Sequence, residues 1–174
     1  MQNPLKVLVG GAAVVAVGLG AAIWATSAPL SAQPLIQKSI SLQQAIQVTK
    51  AAIAECSKDG SVISITVVDR DGEVRFAVKA TSANPHNFEL SRRKAFTART
   101  FRSPSSAFIT KTAPDKELFG QRMLNDVIPL GGGIPIMIGQ DAIGAVGISG
   151  AKGGQVQEEA CARAGIAAIQ AQLS

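Results

Sequence analysis

The sequence holds no tyrosine, a single tryptophan, a single histidine and only two cysteines among its 174 residues. Each scarcity removes a class of function. Aromatic residues make up 4% of the chain, too few for the interleaved stacking platform of single-strand nucleic-acid binders. One histidine and two cysteines give no Cys/His cluster with zinc spacing. No Gly-x-Ser-x-Gly nucleophile motif occurs, and the Gly131-Gly132-Gly133 run lacks the Gly-Lys-Ser/Thr of a phosphate loop. Acidic residues are also few, 12 against 17 basic, for a net charge of +5. Much of the excess sits in Arg92, Arg93, Lys94, Arg99 and Arg102, a stretch that no carboxylate interrupts. A solvated helix face is the plain reading of such a run.

Lys6 precedes an apolar run from Val7 to Ala25 that contains the tryptophan. A basic start, an apolar middle and small residues after it describe a secretory signal, with Leu30-Ser31-Ala32 the better cleavage site because Pro29 blocks the one before it. The run is also nearly long enough to span a bilayer, so an uncleaved N-terminal membrane anchor is the competing reading. The expected organisation is a signal peptide (or anchor) over 1–32, a linker over 33–40 and one domain over 41–174. Cleavage is the favoured outcome, and in both cases the folded part is exported, to the periplasm or beyond the cell. Cys56 and Cys161 each fall in an apolar helical context, where a cysteine is often a small buried hydrophobe. An even count in an oxidising compartment also allows a disulfide, and both alternatives stay open.

Ser41 to Asp59 reads as a helix, with Ser41 and Gln44 as a capping box and Gly60 as the stop. The apolar period then changes to two. Val62–Asp69 and Glu73–Lys79 form a hairpin with one wetted face, and Asp71-Gly72 signals a type I′ turn. Asn84-Pro85 leaves His86 in a loop before a helix over about 87–102. Ser105 is expected to cap a short helix, and Pro114-Asp115 to start another that runs to about Leu124. A glycine turn feeds a second hairpin, Ile136–Gly139 and Ile143–Ser149 around Gln140-Asp141. The last helix, Gln155 to Leu173, carries a face of small residues (Val156, Ala160, Ala164, Ala167, Ala171) suited to packing on a sheet or another subunit. Helix, hairpin, helices, hairpin, helix predicts an α+β fold: an antiparallel β-sheet flanked by α-helices in a single compact domain.

His86 is the one side chain able to ligate a transition metal through imidazole and to move protons near neutral pH. The arginines that follow supply charge-assisted, often bidentate, recognition of carboxylates. A ligand with a metal at its centre and carboxylates at its rim suits both, and haem is that kind of ligand. With no Cys-x-x-Cys-His, it would be held without thioether bonds. His86 is then the axial iron ligand, Arg92 and Arg93 meet the propionates, and Phe88 with Phe96 line the porphyrin face. A competing constellation places Asp69, Asp71 or Glu89 beside His86 as an acid/base pair.

Val67-Val-Asp-Arg-Asp-Gly72, Arg92-Arg-Lys-Ala-Phe-Thr-Ala98, Gly131-Gly-Gly-Ile-Pro135 and Gly144-Ala-Val-Gly-Ile-Ser-Gly-Ala151 leading to Glu158-Glu-Ala-Cys-Ala162 occur in that order. Together they resemble the GlcG/HbpS-like haem-binding family over nearly all of Ser41 to Leu173, and the leader resembles that of its exported members. The resemblance implies a sheet flanked by helices, assembled as a homo-oligomer that is often an octamer. It implies non-covalent, reversible haem binding for haem handling or redox sensing, and not a classical enzyme, although the family is sometimes labelled haem-degrading. Iron ligands differ among its members, histidine and threonine both being implicated, which adds Thr97 as a second candidate near the iron. Haem and other copies of the chain are the implied partners, and nucleic acid is not. An enzyme or accessory protein acting on a small hydroxy or keto acid, and a ligand-free oligomeric scaffold, are the alternatives.

Overall fold

The computed structural model describes residues 35–173; the expected signal or anchor over 1–32 lies outside them. Helix α1 (Leu42–Cys56) opens on the expected capping box, Ser41 Oγ accepting the Gln44 amide and Gln44 Oε1 accepting the Ser41 amide. A 3-10 turn (Ser57–Asp59) follows, and Gly60, at φ 72°, stops it. Strands β1 (Ser64–Asp69) and β2 (Val74–Lys79) come next, then α2 (Asn87–Phe101) and α3 (Ser105–Lys111). A 3-10 segment (Glu117–Met123) leads to β3 (Gly133–Ile138), β4 (Asp141–Ser149), α4 (Gly154–Ala167) and a closing 3-10 turn (Gln170–Gln172). The four strands form one antiparallel sheet in the order β2-β1-β4-β3. The α+β architecture is the expected one.

The sheet is covered on both faces, with α1 and α4 against one and α2 against the other. Every residue of β1 is buried, so the expected wetted face is confined to β2, where Arg75 and Lys79 are exposed. Ile65 and Val67 join the large core with Val48, Val146 and Ile148, whereas Val68 joins Ala95, Ala98 and Ala145 beneath α2. The polar residue Thr66 tolerates that second face because its hydroxyl lies 2.8 Å from that of Ser91 on α2. Helix α2 lies so near the sheet that a Cβ on Gly147 would overlap the Ser91 carbonyl, and one on Gly133 the Lys94 carbonyl. Glycine in these motifs is therefore a requirement of helix-on-sheet packing.

The first hairpin turn differs from the type I′ reading. Asp71 keeps a negative φ, and only Gly72, at 86°, is left-handed. The Asp69 carboxylate organises the turn, accepting the amides of Asp71 (2.8 Å) and Glu73 (3.0 Å). Ser105 does not cap α3; its hydroxyl accepts the Gly133 amide at 2.8 Å. The segment expected as a helix to Leu124 is a 3-10 helix over Glu117–Met123. In α4 the buried residues are Glu158, Cys161, Ala162 and Gly165, not the small-residue face, and Val156 is 83% exposed. Gly165 explains the difference, since a Cβ there would stand 2.7 Å from the Val48 carbonyl of α1. Beside that contact, Cys56 and Cys161 form a buried disulfide with Cα atoms 5.6 Å apart, which settles the open cysteine pairing.

Candidate functional site

Helix α2 and its N-cap carry every candidate ligand-binding residue, and the structure divides them. His86 sits at the N-cap position, and its side chain caps nothing and is exposed. Phe88, two residues on, is 40% exposed. These two share the open N-terminal end of the helix. Phe96 does not join them: its ring packs on Gly72 of the first hairpin turn.

Arg92, Arg93 and Thr97 are turned to another task. Arg92 donates to both oxygens of Glu89, at 2.9 and 2.8 Å, and to Asp126 at 2.6 Å. Hydrogen bonding to Glu89 is the chief cause that raises the guanidinium pKa above its ordinary value, and it holds the Glu89 carboxyl below its own. Arg93 donates through Nη2 to the Val127 carbonyl, and its buried Nε has no partner. The Thr97 hydroxyl accepts the Ile128 amide at 2.8 Å and donates to the Arg93 carbonyl at 2.8 Å. Three side chains of α2 thus bind three consecutive residues, 126 to 128, through a carboxylate, a carbonyl and an amide. Asp126 itself is held at φ 66°.

A propionate approaching Arg92 would compete with two carboxylates already in place. Thr97 is wholly buried, with both donor and acceptor in use, and so has no surface from which to meet an iron. In this structure the hydroxyl belongs to the 126–128 clamp. The acid/base constellation separates as well. Asp69 is buried in its turn and paired with Arg75 at 2.9 Å. Asp69 and Asp71 belong to the turn on which Phe96 packs, ten residues along α2 from His86 and thus about 15 Å up its axis. Glu89 is near in sequence but is bound by Arg92.

Lys94, between these groups, is also internal. Its Nζ donates to Glu158 Oε2 at 2.6 Å and to the Ile148 carbonyl at 3.2 Å, and both charged side chains are buried. Among the described residues no group of three or more His, Cys, Asp or Glu could hold a metal ion. The sequence carried no sign of Asp126 as the partner of Arg92, because the pair is 34 residues apart and joined by a loop.

Compared with known proteins, residues 40–167 match the family model described as "Haem degrading protein HbpS-like". The crystal structure of a Streptomyces reticuli HbpS double mutant is similar at a TM-score of 0.73 and 29% identity, covering 82% of this chain and 97% of that one. A PduOC:heme complex is similar at a TM-score of 0.69 and 26% identity, covering 75% of this chain and 95% of that one. The corrinoid adenosyltransferase PduO of Citrobacter freundii is 29% identical over 133 residues, 75% of this chain. The chain spans only 39% of that relative's length.

Proposed function

Because the chain belongs to the HbpS-like family, we propose that it is an exported protein that binds haem non-covalently and reversibly, for haem handling or redox sensing. The observation that carries this reading is the likeness to a PduOC structure solved as a haem complex, over nearly all of that chain. His86 could hold the iron, since its side chain is exposed and caps nothing, and Phe88, two residues on, is half-exposed at the same end of the helix. Bound there, haem would supply iron redox chemistry, and His86 and Phe88 would orient it. Arg92 and Arg93 would reach a propionate only by giving up part of the 126–128 clamp. The buried disulfide supports export, because such bonds persist in oxidising compartments. The exposed Val156, Ala160 and Ala167 on α4 support association with further copies.

Titration of haemin into the protein, followed by absorbance with His86→Ala in parallel, tests the reading. A saturable Soret shift that the variant loses or alters supports haem binding at His86. A saturable shift that survives unchanged keeps haem and removes His86. No saturable shift refutes haem binding by this chain.

A further inference from the structure

Three basic side chains of the run along α2 are engaged inside the fold. Arg92 is bonded to Glu89 and Asp126, Arg93 to the Val127 carbonyl and Lys94 to Glu158. Arg99 and Arg102 differ. Among the described residues neither enters an ion pair. The Nε of Arg99 is also buried with no hydrogen-bond partner. A guanidinium cannot relieve that cost by losing its proton, so an acceptor is what it lacks.

Packing brings a third arginine to the same place. Helix α2 runs along β1 toward the hairpin turn: the Ser91 hydroxyl meets that of Thr66, and Ala95 and Ala98 pack with Val68. Its last turn therefore lies by Asp69 and Arg70, and Phe96, three residues before Arg99, rests on Gly72. Arg102 follows Arg99 by three residues, on the same side of the helix end. The Arg70 side chain, 19% exposed, is fixed by the Lys38 carbonyl at 3.2 Å and by Asp141 at 3.4 Å. Burial first, then the charges of Arg70 and Arg102, hold the Arg99 guanidinium below its ordinary pKa. Asp71 and Asp69 pull the other way without offsetting them. Asp69 is engaged by Arg75 and by two turn amides, whereas Asp71 is exposed. Arg99 stands thirteen residues beyond His86, about 20 Å along the helix, and so apart from the haem reading.

We propose that Arg99 and Arg102, with Arg70 behind them, bind the dianionic phosphate of a phosphomonoester. Each guanidinium is a planar fork of donors that takes two oxygens. Two forks and two charges match a dianion with three terminal oxygens. A monocarboxylate would occupy one fork and leave the other unmatched. A soluble phosphomonoester and a lipid with a terminal phosphate present the same group.

The test is NMR of the isotopically labelled protein at the arginine Nε–H resonances, at about pH 8, where the phosphate carries two charges. Glycerol 3-phosphate is expected to shift Arg99 and Arg102 saturably, with acetate at least tenfold weaker. Arg99→Gln and Arg102→Gln remove charges that no ion pair uses, and each should weaken binding about tenfold. Vesicles of phosphatidylcholine, with and without phosphatidic acid, then separate the sources. Displacement of glycerol 3-phosphate by phosphatidic acid alone supports a lipid headgroup, and no displacement supports a soluble phosphomonoester. Three results would each overturn the proposal: no saturable shift well above a millimolar Kd, equal binding of acetate, or unchanged affinity in either variant.

Discussion

Replacing Lys94 by methionine isolates the charge that ties α2 to Glu158 of α4. In the native protein Lys94 Nζ meets Glu158 Oε2 at 2.6 Å, and the Gly150 amide meets Glu158 Oε1 at 2.8 Å. The two side chains are 3% and 5% exposed. Methionine fills the space of the lysine stem but leaves the glutamate buried with a single amide for company. Breaking a buried pair from one side costs about 3–5 kcal/mol. With a urea m-value near 2 kcal/mol/M, the unfolding midpoint should fall by about 2 M. Lys94→Met with Glu158→Gln should recover more than half of the loss, because the neutral amide needs no counter-charge and its oxygen still accepts from Gly150. Urea unfolding of the four proteins of this cycle gives the coupling energy. A single variant within about 1 kcal/mol of wild type, or a double variant no better than Lys94→Met, would refute the argument.

Reducing the Cys56–Cys161 bridge, which spans a sequence separation of 105, should destabilise the protein by about 4.7 kcal/mol through unfolded-state entropy. Urea unfolding with and without reductant measures this, and a change below about 1 kcal/mol would contradict it. Gly147→Ala should cost about 3 kcal/mol or more, since the new methyl meets the Ser91 carbonyl and Ala95 amide of a helix that cannot rotate them away. Thermal unfolding close to that of wild type would contradict so near an approach. The Glu89 carboxyl, held below its ordinary value of 4.5 mainly by the hydrogen bond from Arg92, should stabilise the folded state fully at neutral pH. Its contribution should fade as pH falls through the lowered folded-state pKa. In Arg92→Ala the carboxyl should titrate nearer 4.5 by NMR, and an unmoved titration would remove Arg92 as the cause.

Local chemistry made much of the fold legible. The capping box at Ser41 and Gln44, the stop at Gly60 and the Asp71-Gly72 turn each depend on residues within a few positions of one another, and each lies where its pattern placed it. What the pattern missed was partnership across the chain. The alternation in β1 marked Ile63, Ile65 and Val67 correctly as inward-facing, but Ser64 and Thr66 read as solvent-facing. Their burial depends on α2 lying against the sheet, and Gly133 and Gly147, far along the chain, permit that approach. Hydropathy does not record that a hydroxyl will find Ser91. The small-residue face of α4 misled for the same reason: glycine at 165 decided which side met α1, and a single glycine barely changes a periodic pattern.

The site shows the same limit, with a consequence for how the family motif is understood. Arg92 and Arg93 read as ligand-binding groups because each has the chemistry for it, and Thr97 because the family resemblance added it; chemistry is all that a residue type reveals. In the folded chain that same chemistry is directed at Asp126, Val127 and Ile128, and Lys94 is directed at Glu158. A basic run with no acid inside it still finds acids from distant segments, Asp126 lying 34 residues beyond Arg92 and Glu158 64 beyond Lys94. Such a run serves packing as much as recognition. The groups left with unspent chemistry at the start of α2 are the side chain of His86 and the half-exposed Phe88. Perturbations there should change ligand binding with little loss of stability, whereas those along Arg92–Thr97 should change stability first. A variant at His86 that unfolds the protein, or one at Arg93 that alters a ligand's affinity at full stability, would reverse that division.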